Sequence, residues 1–322
     1  MVFRRFLMRF LVSFGLLIFI TAISFFLMSV APGKPMANML NPKLTAADLA
    51  QFQKNLGLDA PVSVRYVRWL GQLAQGNLGH SLISGQPVTQ LIAERLPATL
   101  LLSGLSLAIM VTVTIPLGLW AGVRTGRLAD HIITLGSFVG MSLPAFWLAL
   151  MLVLILSLKW GWFPSSGMMD PMVADGTWLE IANSIAAHLV LPLITVLVGG
   201  AAGLIRYTRN GVVSVLHQPY ILAARSRGLS EYRLVTRHVL KNAALPLITV
   251  LGLSLPGIFA GSFVIEYIFS WPGMGQLGVQ SVFQRDYPVM MGILLITSIL
   301  IILGNWMADL AYRWADPRVE NL

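Results

Sequence analysis

The stretch 220–246, YILAARSRGLSEYRLVTRHVLKNAALP, contains five cations and a single acid in an otherwise apolar chain. Pro219, just before it, suits the first turn of a short helix, and Gly228 suits the C-terminal cap of that helix. Ser230 is a favourable N-cap for a second helix, with Glu231 well placed in its first turn. The stretch therefore predicts two helices joined by a hinge at Gly228.

The rest of the chain is too apolar for a soluble protein. Of its 322 residues, 56% are hydrophobic and 11% are charged, whereas soluble domains carry about 25% charged residues. One aqueous core does not hide so much apolar surface, so we expect a polytopic membrane protein. The absence of cysteine excludes disulfides, thiolate metal sites and a cysteine nucleophile.

Uncharged runs long enough to cross about 30 Å of hydrocarbon as a helix, which takes about 20 residues, divide the chain into spans. The six runs are 10–33, 96–123, 132–158, 181–205, 242–265 and 287–308. Each run fits one helix, and prolines within four of them favour kinks. We predict an all-α protein with six transmembrane helices, the first of which is a retained anchor and not a cleaved signal peptide.

Lysine and arginine residues in the loops predict the orientation of these spans. With the N-terminus inside, the cytoplasmic segments hold 14 of the 22 Lys and Arg residues. Both termini and the basic segment 206–242 are therefore expected in the cytoplasm.

The expected organisation has three parts. Residues 1–33 form the N-terminal cytoplasmic end and the first transmembrane helix, 34–95 form a structured external loop, and 96–322 form a five-helix core with the cytoplasmic loop 206–242. In the external loop, apolar and aromatic residues recur at helical spacing over 62–73. They predict an amphipathic helix on the membrane surface or at the outer mouth.

Motifs of the common enzyme classes do not occur in the sequence. It contains no G-x-x-x-x-G-K-[ST], H-E-x-x-H or G-x-S-x-G, and no acid lies at the centre of a span. We therefore predict no catalytic residue, metal site or cofactor in this chain. For the stretch 220–246, a basic loop held by anionic lipid and a docking element for a cytoplasmic motor both stay open. Nucleic-acid binding fits poorly, because no aromatic is placed to read bases.

The same stretch resembles the cytoplasmic EAA loop of ABC-importer permeases. The matching residues are Tyr220, Ala223, Ala224, Gly228, Leu229, Asn242, Ala243 and Pro246. The glutamate of that signature falls at Leu222, a departure typical of the dipeptide/oligopeptide/nickel subclass. The segments LGLDAP (56–61), GNLGHS (76–81), FSWPGMG (269–275), RDYPV (285–289) and DPR (316–318) resemble this subclass in the same order.

The resemblance implies a type I ABC-importer permease fold in the bacterial inner membrane. It implies pairing with a second, similar permease, docking of two cytoplasmic ATPase subunits that carry ATP and Mg, and delivery of solute by an external binding protein. The expected ATPase-coupling residues are Tyr220, Ala223, Ala224, Arg225, Arg227, Gly228, Leu229 and Ser230. The expected binding-protein contacts are Trp69, Trp271, Pro272, Gly273 and Met274.

By the same resemblance, this chain is a transport subunit and not an enzyme. We expect di- or oligopeptides as substrate, with nickel (or a metal chelate) or glutathione as alternatives. The alternative of another class is a stand-alone secondary transporter or channel, which predicts ionisable groups at span centres and internal repeats. The sequence shows neither feature clearly. A structural membrane scaffold would need no hinge in the basic loop.

Overall fold

The computed structural model describes residues 2–30, 60–239 and 263–315. These residues form helices and no β-strand, apart from one β-bridge between His80 and Pro87. In chain order the helices are α1 (Val2–Val30), α2 (Val62–Ala74), α3 (Val88–Ile109), α4 (Ile115–Val123), α5 (Leu128–Ser142), α6 (Ala145–Leu152), α7 (Trp178–Leu216), α8 (Pro219–Ser226), α9 (Glu231–Leu234), α10 (Phe263–Ile268), α11 (Met274–Gln284) and α12 (Tyr287–Ala315). Stretches of π-helix join α3 to α4 and extend α6 and α9: Met110–Thr114, Val153–Lys159 and Val235–Val239.

The apolar runs match the helices that are long enough to cross a membrane. By length and hydropathy these helices are Leu7–Val30, Val88–Val123, Trp178–Leu216 and Tyr287–Ala308. The bent pair α5 and α6 is a further candidate span. The predicted run 242–265 lies outside the described residues except for its last three.

The run 132–158 is not one continuous helix, because the chain bends by 98° between α5 and α6, and this bend lies at one of the prolines that were expected to favour kinks. Leu143 is extended there, with φ −85° and ψ 122°. A residue that precedes proline avoids the helical region, and Pro144 has no N–H with which to continue the hydrogen-bond ladder. Pro192, by contrast, stays within the continuous helix α7.

The chain divides into two compact units, residues 1–97 with 276–302 and residues 98–275 with 303–322. In the first unit α2 packs against α1. The segment after α2 is fixed to the residue that precedes α12, because Asp286 accepts hydrogen bonds from the Ser81 hydroxyl at 2.5 Å and the Leu82 N–H at 3.1 Å.

In the second unit, α7 is the central helix, and α4, α5 and α6 pack on it. Glycines let α4 approach it closely. A Cβ added at Gly118 would lie 2.6 Å from the Thr208 Cβ, and one added at Gly122 would lie 2.7 Å from the Val212 Cβ. The unit therefore holds the last turns of α7 firmly against α4, just before α8 begins.

Candidate functional site

Residues 219–239 form a helical hairpin directly after α7. α8 begins at Pro219, after Gln218 in an extended conformation, and ends at Ser226. The predicted short helix is confirmed, with its C-terminus two residues earlier than the predicted 228.

The hinge after α8 is a Schellman motif around Gly228, whose φ is +79°. The Leu229 N–H donates to the Ala224 carbonyl at 3.4 Å, and the Gly228 N–H donates to the Arg225 carbonyl at 3.0 Å. These two bonds satisfy carbonyls that the helix end would leave unpaired. The prediction that Gly228 caps this helix is confirmed.

The second helix starts without the predicted side-chain cap. Ser230 occupies the N-cap position, but its hydroxyl makes no capping hydrogen bond, and only its carbonyl accepts from the Leu234 N–H at 2.9 Å. Glu231 instead binds Arg225 of α8, with oxygen–nitrogen distances of 2.8 and 3.2 Å. Since both side chains are exposed, this pair adds little stability to the hairpin.

A small apolar core beneath the hairpin anchors it to α7. The buried members are Val212, Ile221, Leu234 and Val239, and Leu119, Val215, Leu216 and Ala224 pack against them. Ala224 is partly buried against this core, whereas Ala223 is exposed, and the predicted role of both residues in ATPase coupling stays a prediction. In the helix, Ile221 and Ala224 lie three residues apart on the side that the core covers.

The side of α8 that borders this covered side is open to solvent. Tyr220, Ala223 and Arg227 are exposed and lie at helical spacing on one side. We call these three residues the hairpin face. Ala223, with the smallest side chain, lies at its centre and allows another surface to approach the helix backbone closely.

The turn at 269–275 is held by a buried network of hydrogen bonds in the second unit, which we call the Glu266 network. The Glu266 carboxylate accepts from the Gly275 N–H at 2.7 Å and from the Thr99 hydroxyl at 3.0 Å. The Thr99 oxygen in turn accepts from the Met274 N–H at 2.7 Å. The Trp271 indole N–H donates to the Ala98 carbonyl at 2.8 Å. These bonds fasten the turn to α3.

Burial of the turn in the Glu266 network contradicts the predicted binding-protein contacts there. Trp271 is 0% exposed and Met274 is 1% exposed, so their side chains offer no surface to an external protein. Gly273 is also buried, since a Cβ there would overlap the Glu266 carboxylate and the Thr99 hydroxyl, and only Pro272 is partly exposed. Proline and glycine in this stretch predict an exposed turn, and neither residue type reveals the Glu266 carboxylate against which the turn packs.

Trp69 is likewise a packing residue. Its ring lies 6.0 Å from that of Tyr66 and 6.3 Å from that of Phe25, and the side chain is buried. The predicted contact of the Trp69 side chain with a binding protein is therefore contradicted as well.

Sequence reasoning missed an ion pair one turn before the hairpin core. Arg209 of α7 binds both carboxylate oxygens of Asp130, at 2.7 and 2.8 Å, and Asp130 also accepts from the Gly126 N–H at 2.9 Å. The available signal was a lone acid in the first turn of an apolar helix. Its partner lies 79 residues away along the chain, so the sequence could not identify it.

Two family descriptions match the chain. Residues 114–321 match "Binding-protein-dependent transport system inner membrane component", and residues 2–103 match the N-terminal part of such membrane components.

Curated relatives match along almost the whole length. An oligopeptide transport system permease protein, AppB of Bacillus subtilis, is 43% identical over 313 residues, which cover 97% of this chain and 98% of the relative. A putative peptide permease protein of Brucella ovis is 38% identical over 97% of both chains. A probable peptide ABC transporter permease protein of Sinorhizobium fredii is 34% identical over 92% of both.

A solved structure shares the fold. A chain of the MetNI methionine ABC transporter, in an inward-facing conformation, superposes with a TM-score of 0.53 at 20% identity, covering 71% of this chain and 97% of that one. At this identity the likeness concerns the fold alone.

Proposed function

Because this chain belongs to the family of binding-protein-dependent transport system inner membrane components, we propose that it is the permease subunit through which an ABC importer moves peptides. It is a multi-pass inner-membrane transport subunit and not an enzyme. Peptides are the proposed substrate because the relatives that align along its whole length are named as oligopeptide or peptide permeases. Nickel (or a metal chelate) and glutathione are the alternatives.

The proposed partners are a second, similar permease, two cytoplasmic ATPase subunits and an external solute-binding protein. ATP and Mg belong to the ATPase subunits in this proposal. The family description supports the binding protein by name. The hairpin supports the ATPases, because it presents a small exposed face on a rigid base.

The hairpin face is the proposed ATPase-docking surface. The observation that carries this proposal is the hairpin core, in which Ile221 and Leu234 pack on Val212 of α7. A push on Ala223 is passed through that core to α7, which the glycine contacts hold against α4. Such a push drives transport only if the two arrangements of the permease bind the ATPases with different affinity.

The test is the ATPase activity of the purified complex with and without loaded binding protein. Ala223→Trp places a bulky side chain on the hairpin face without disturbing the hairpin core. We expect this variant to lose bound ATPase subunits or to lower stimulated hydrolysis by about tenfold, the effect of about 1.4 kcal/mol in docking. The matched control is Ser214→Trp, an exposed residue of α7 that precedes the hairpin.

Normal subunit ratio and normal stimulation in Ala223→Trp would refute the docking assignment. The substrate is tested in the same assay by loading the binding protein with a peptide, with nickel or with glutathione. Stimulation by nickel or glutathione, but not by peptide, would refute the peptide proposal and leave the docking result standing.

Both termini and the hairpin are proposed to lie in the cytoplasm. The chain has no cysteine, so single cysteines report sidedness without background. Ser84→Cys in the proposed external loop should react with an impermeant thiol reagent in intact cells, and Ser226→Cys in α8 should react only after lysis. The reverse pattern would invert the topology.

A further inference from the structure

α2 packs beside the middle of α1 and not beyond its end. The Tyr66 hydroxyl donates to the Ile18 carbonyl at 3.1 Å and lies 3.0 Å from the Thr21 hydroxyl. Since a helix rises about 1.5 Å per residue, Thr21 is about 14 Å from the end of α1 at Val30. α2 therefore lies at a depth that α1 also occupies.

Phe25 of α1 gives the level of Arg65, one of the two cations on α2. Its ring centroid lies 5.5 Å from that of Tyr66, and the Arg65 guanidinium carbon lies 5.6 Å from the Phe25 centroid. The Arg65 charge is thus level with Phe25.

The length of α1 places this level at a membrane boundary. The apolar span Leu7–Val30 has 24 residues, about 36 Å of helix, whereas the hydrocarbon core is about 30 Å thick. With Leu7 at one boundary, the other boundary falls near Leu27. The Arg65 guanidinium then lies where headgroups begin, and the Tyr66 hydroxyl lies deeper and has the hydrogen-bond partners that such a depth requires.

The charge on α2 is uncompensated within the described part of the chain. The helix contains Arg65 and Arg68, three residues apart, and no acid. Neither guanidinium forms an ion pair with a carboxylate there. Phe26 and Leu27 of α1 are largely exposed at the same level. Cations beside an exposed apolar helix surface match the two parts of a phospholipid, the phosphate and the acyl chains.

We propose that Arg65 and Arg68 bind the phosphates of anionic phospholipids at the membrane boundary near Leu27, with the acyl chains against the exposed side of α1. The site holds α2 in the interface and so anchors the segment that leads into α3. It requires only that α2 packs beside α1 between Ile18 and Phe25, and therefore does not depend on the transported solute or on the ATPases. An external protein would need α2 to project above the membrane, which the Tyr66 contacts disfavour.

The first test measures lipid retention by the full chain in its purified complex. Native mass spectrometry in detergent, with added phosphatidylglycerol or phosphatidylcholine, reports the lipids bound. We expect the wild-type complex to retain phosphatidylglycerol about tenfold better, and the double variant Arg65→Gln/Arg68→Gln to lose most of that preference. Arg65→Lys/Arg68→Lys is the matched control, since it keeps both charges and should keep the preference.

The second test uses the otherwise unchanged chain, so it does not depend on the folding of the glutamine variant. A photoreactive residue replaces Val67, which lies between the two arginines in the sequence and is 66% exposed. Irradiation in cells should give a phospholipid adduct on the peptide that contains α2. An adduct with the external binding protein and none with lipid, or equal retention of both lipids in the first test, would overturn the proposal.

Discussion

Arg209 of α7 binds Asp130 at the start of α5 through two parallel hydrogen bonds, and Asp130 is only 2% exposed. The pair joins two helices of the second unit one turn before Val212, the α7 residue that anchors the hairpin. Charge-assisted bidentate pairs of this kind fix orientation as well as adding energy. The base of the proposed docking element is therefore held by an electrostatic contact as well as by apolar packing.

Asp130→Asn should destabilise the complex by about 2 kcal/mol, because it removes a charged acceptor and leaves Arg209 without its carboxylate. Thermal unfolding of the purified complex measures the change. The matched control is Asp175→Asn, an exposed acid, which should have little effect. In a double-mutant cycle, Arg209→Gln should cost much less in the Asp130→Asn background than in the wild type. Additive effects of the two changes would contradict a direct contribution of the pair.

Gly122→Ala should lower the melting temperature of the complex, because its Cβ would lie 2.7 Å from the Val212 Cβ and 3.0 Å from the Arg209 carbonyl. Gly104→Ala is the matched control, because no atom lies within 4 Å of a Cβ there. Both changes favour a helix by about 1 kcal/mol. An unchanged or raised melting temperature in Gly122→Ala would show that α4 and α7 do not pack so closely.

Thr99→Val should loosen the turn at 269–275 while keeping the shape of the side chain. The substitution leaves the Met274 N–H without its acceptor and removes one donor from the Glu266 carboxylate. We expect a loss of about 2 kcal/mol in stability, measured by thermal unfolding, and faster proteolysis at the turn. The control is Thr112→Val, whose hydroxyl bonds only to carbonyls of its own helix. Equal effects of the two substitutions would argue against a stabilising role of the Glu266 network.

The helices were predictable from the sequence because apolar length is a local property. The runs 96–123, 181–205 and 287–308 lie within observed helices, although α7 continues to Leu216, and Pro219 and Gly228 marked the ends of the short helix within two residues. The bend at Pro144 was harder to predict, since Pro192 has the same chemistry and stays within a helix. A proline leaves a carbonyl of the preceding turn without its N–H donor. Whether the helix continues depends on neighbouring groups that donate to this carbonyl, and the sequence does not identify those neighbours.

The details of the site were less predictable because they depend on contacts between distant residues. Residues 223 and 224 are both alanine, so the residue type does not distinguish them, yet Ala223 is exposed and Ala224 packs on the hairpin core. The Glu266 network joins residues 167 positions apart, so the turn at 269–275 could only be predicted as an exposed loop. Orientation of the chain in the membrane stays a prediction that rests on the loop cations.

Gly228 gives the sharpest test of the hinge, because its substitution changes backbone preference alone. Its φ of +79° lies in the left-handed region, and no atom lies within 4 Å of an added Cβ. Gly228→Val should therefore cost about 1–2 kcal/mol through backbone strain and tilt α9 relative to α8. Gly228→Asn is the matched control, since asparagine tolerates this conformation.

We expect Gly228→Val to lower the stimulation of ATP hydrolysis by loaded binding protein more than it lowers the amount of bound ATPase. The hairpin face on α8 is unchanged in this variant, whereas the path through α9 and the hairpin core is altered. Gly228→Asn should stay close to the wild type in both measurements. Equal stimulation in the valine and asparagine variants would mean that the left-handed turn is dispensable, and the hairpin would then dock the ATPases without transmitting their motion.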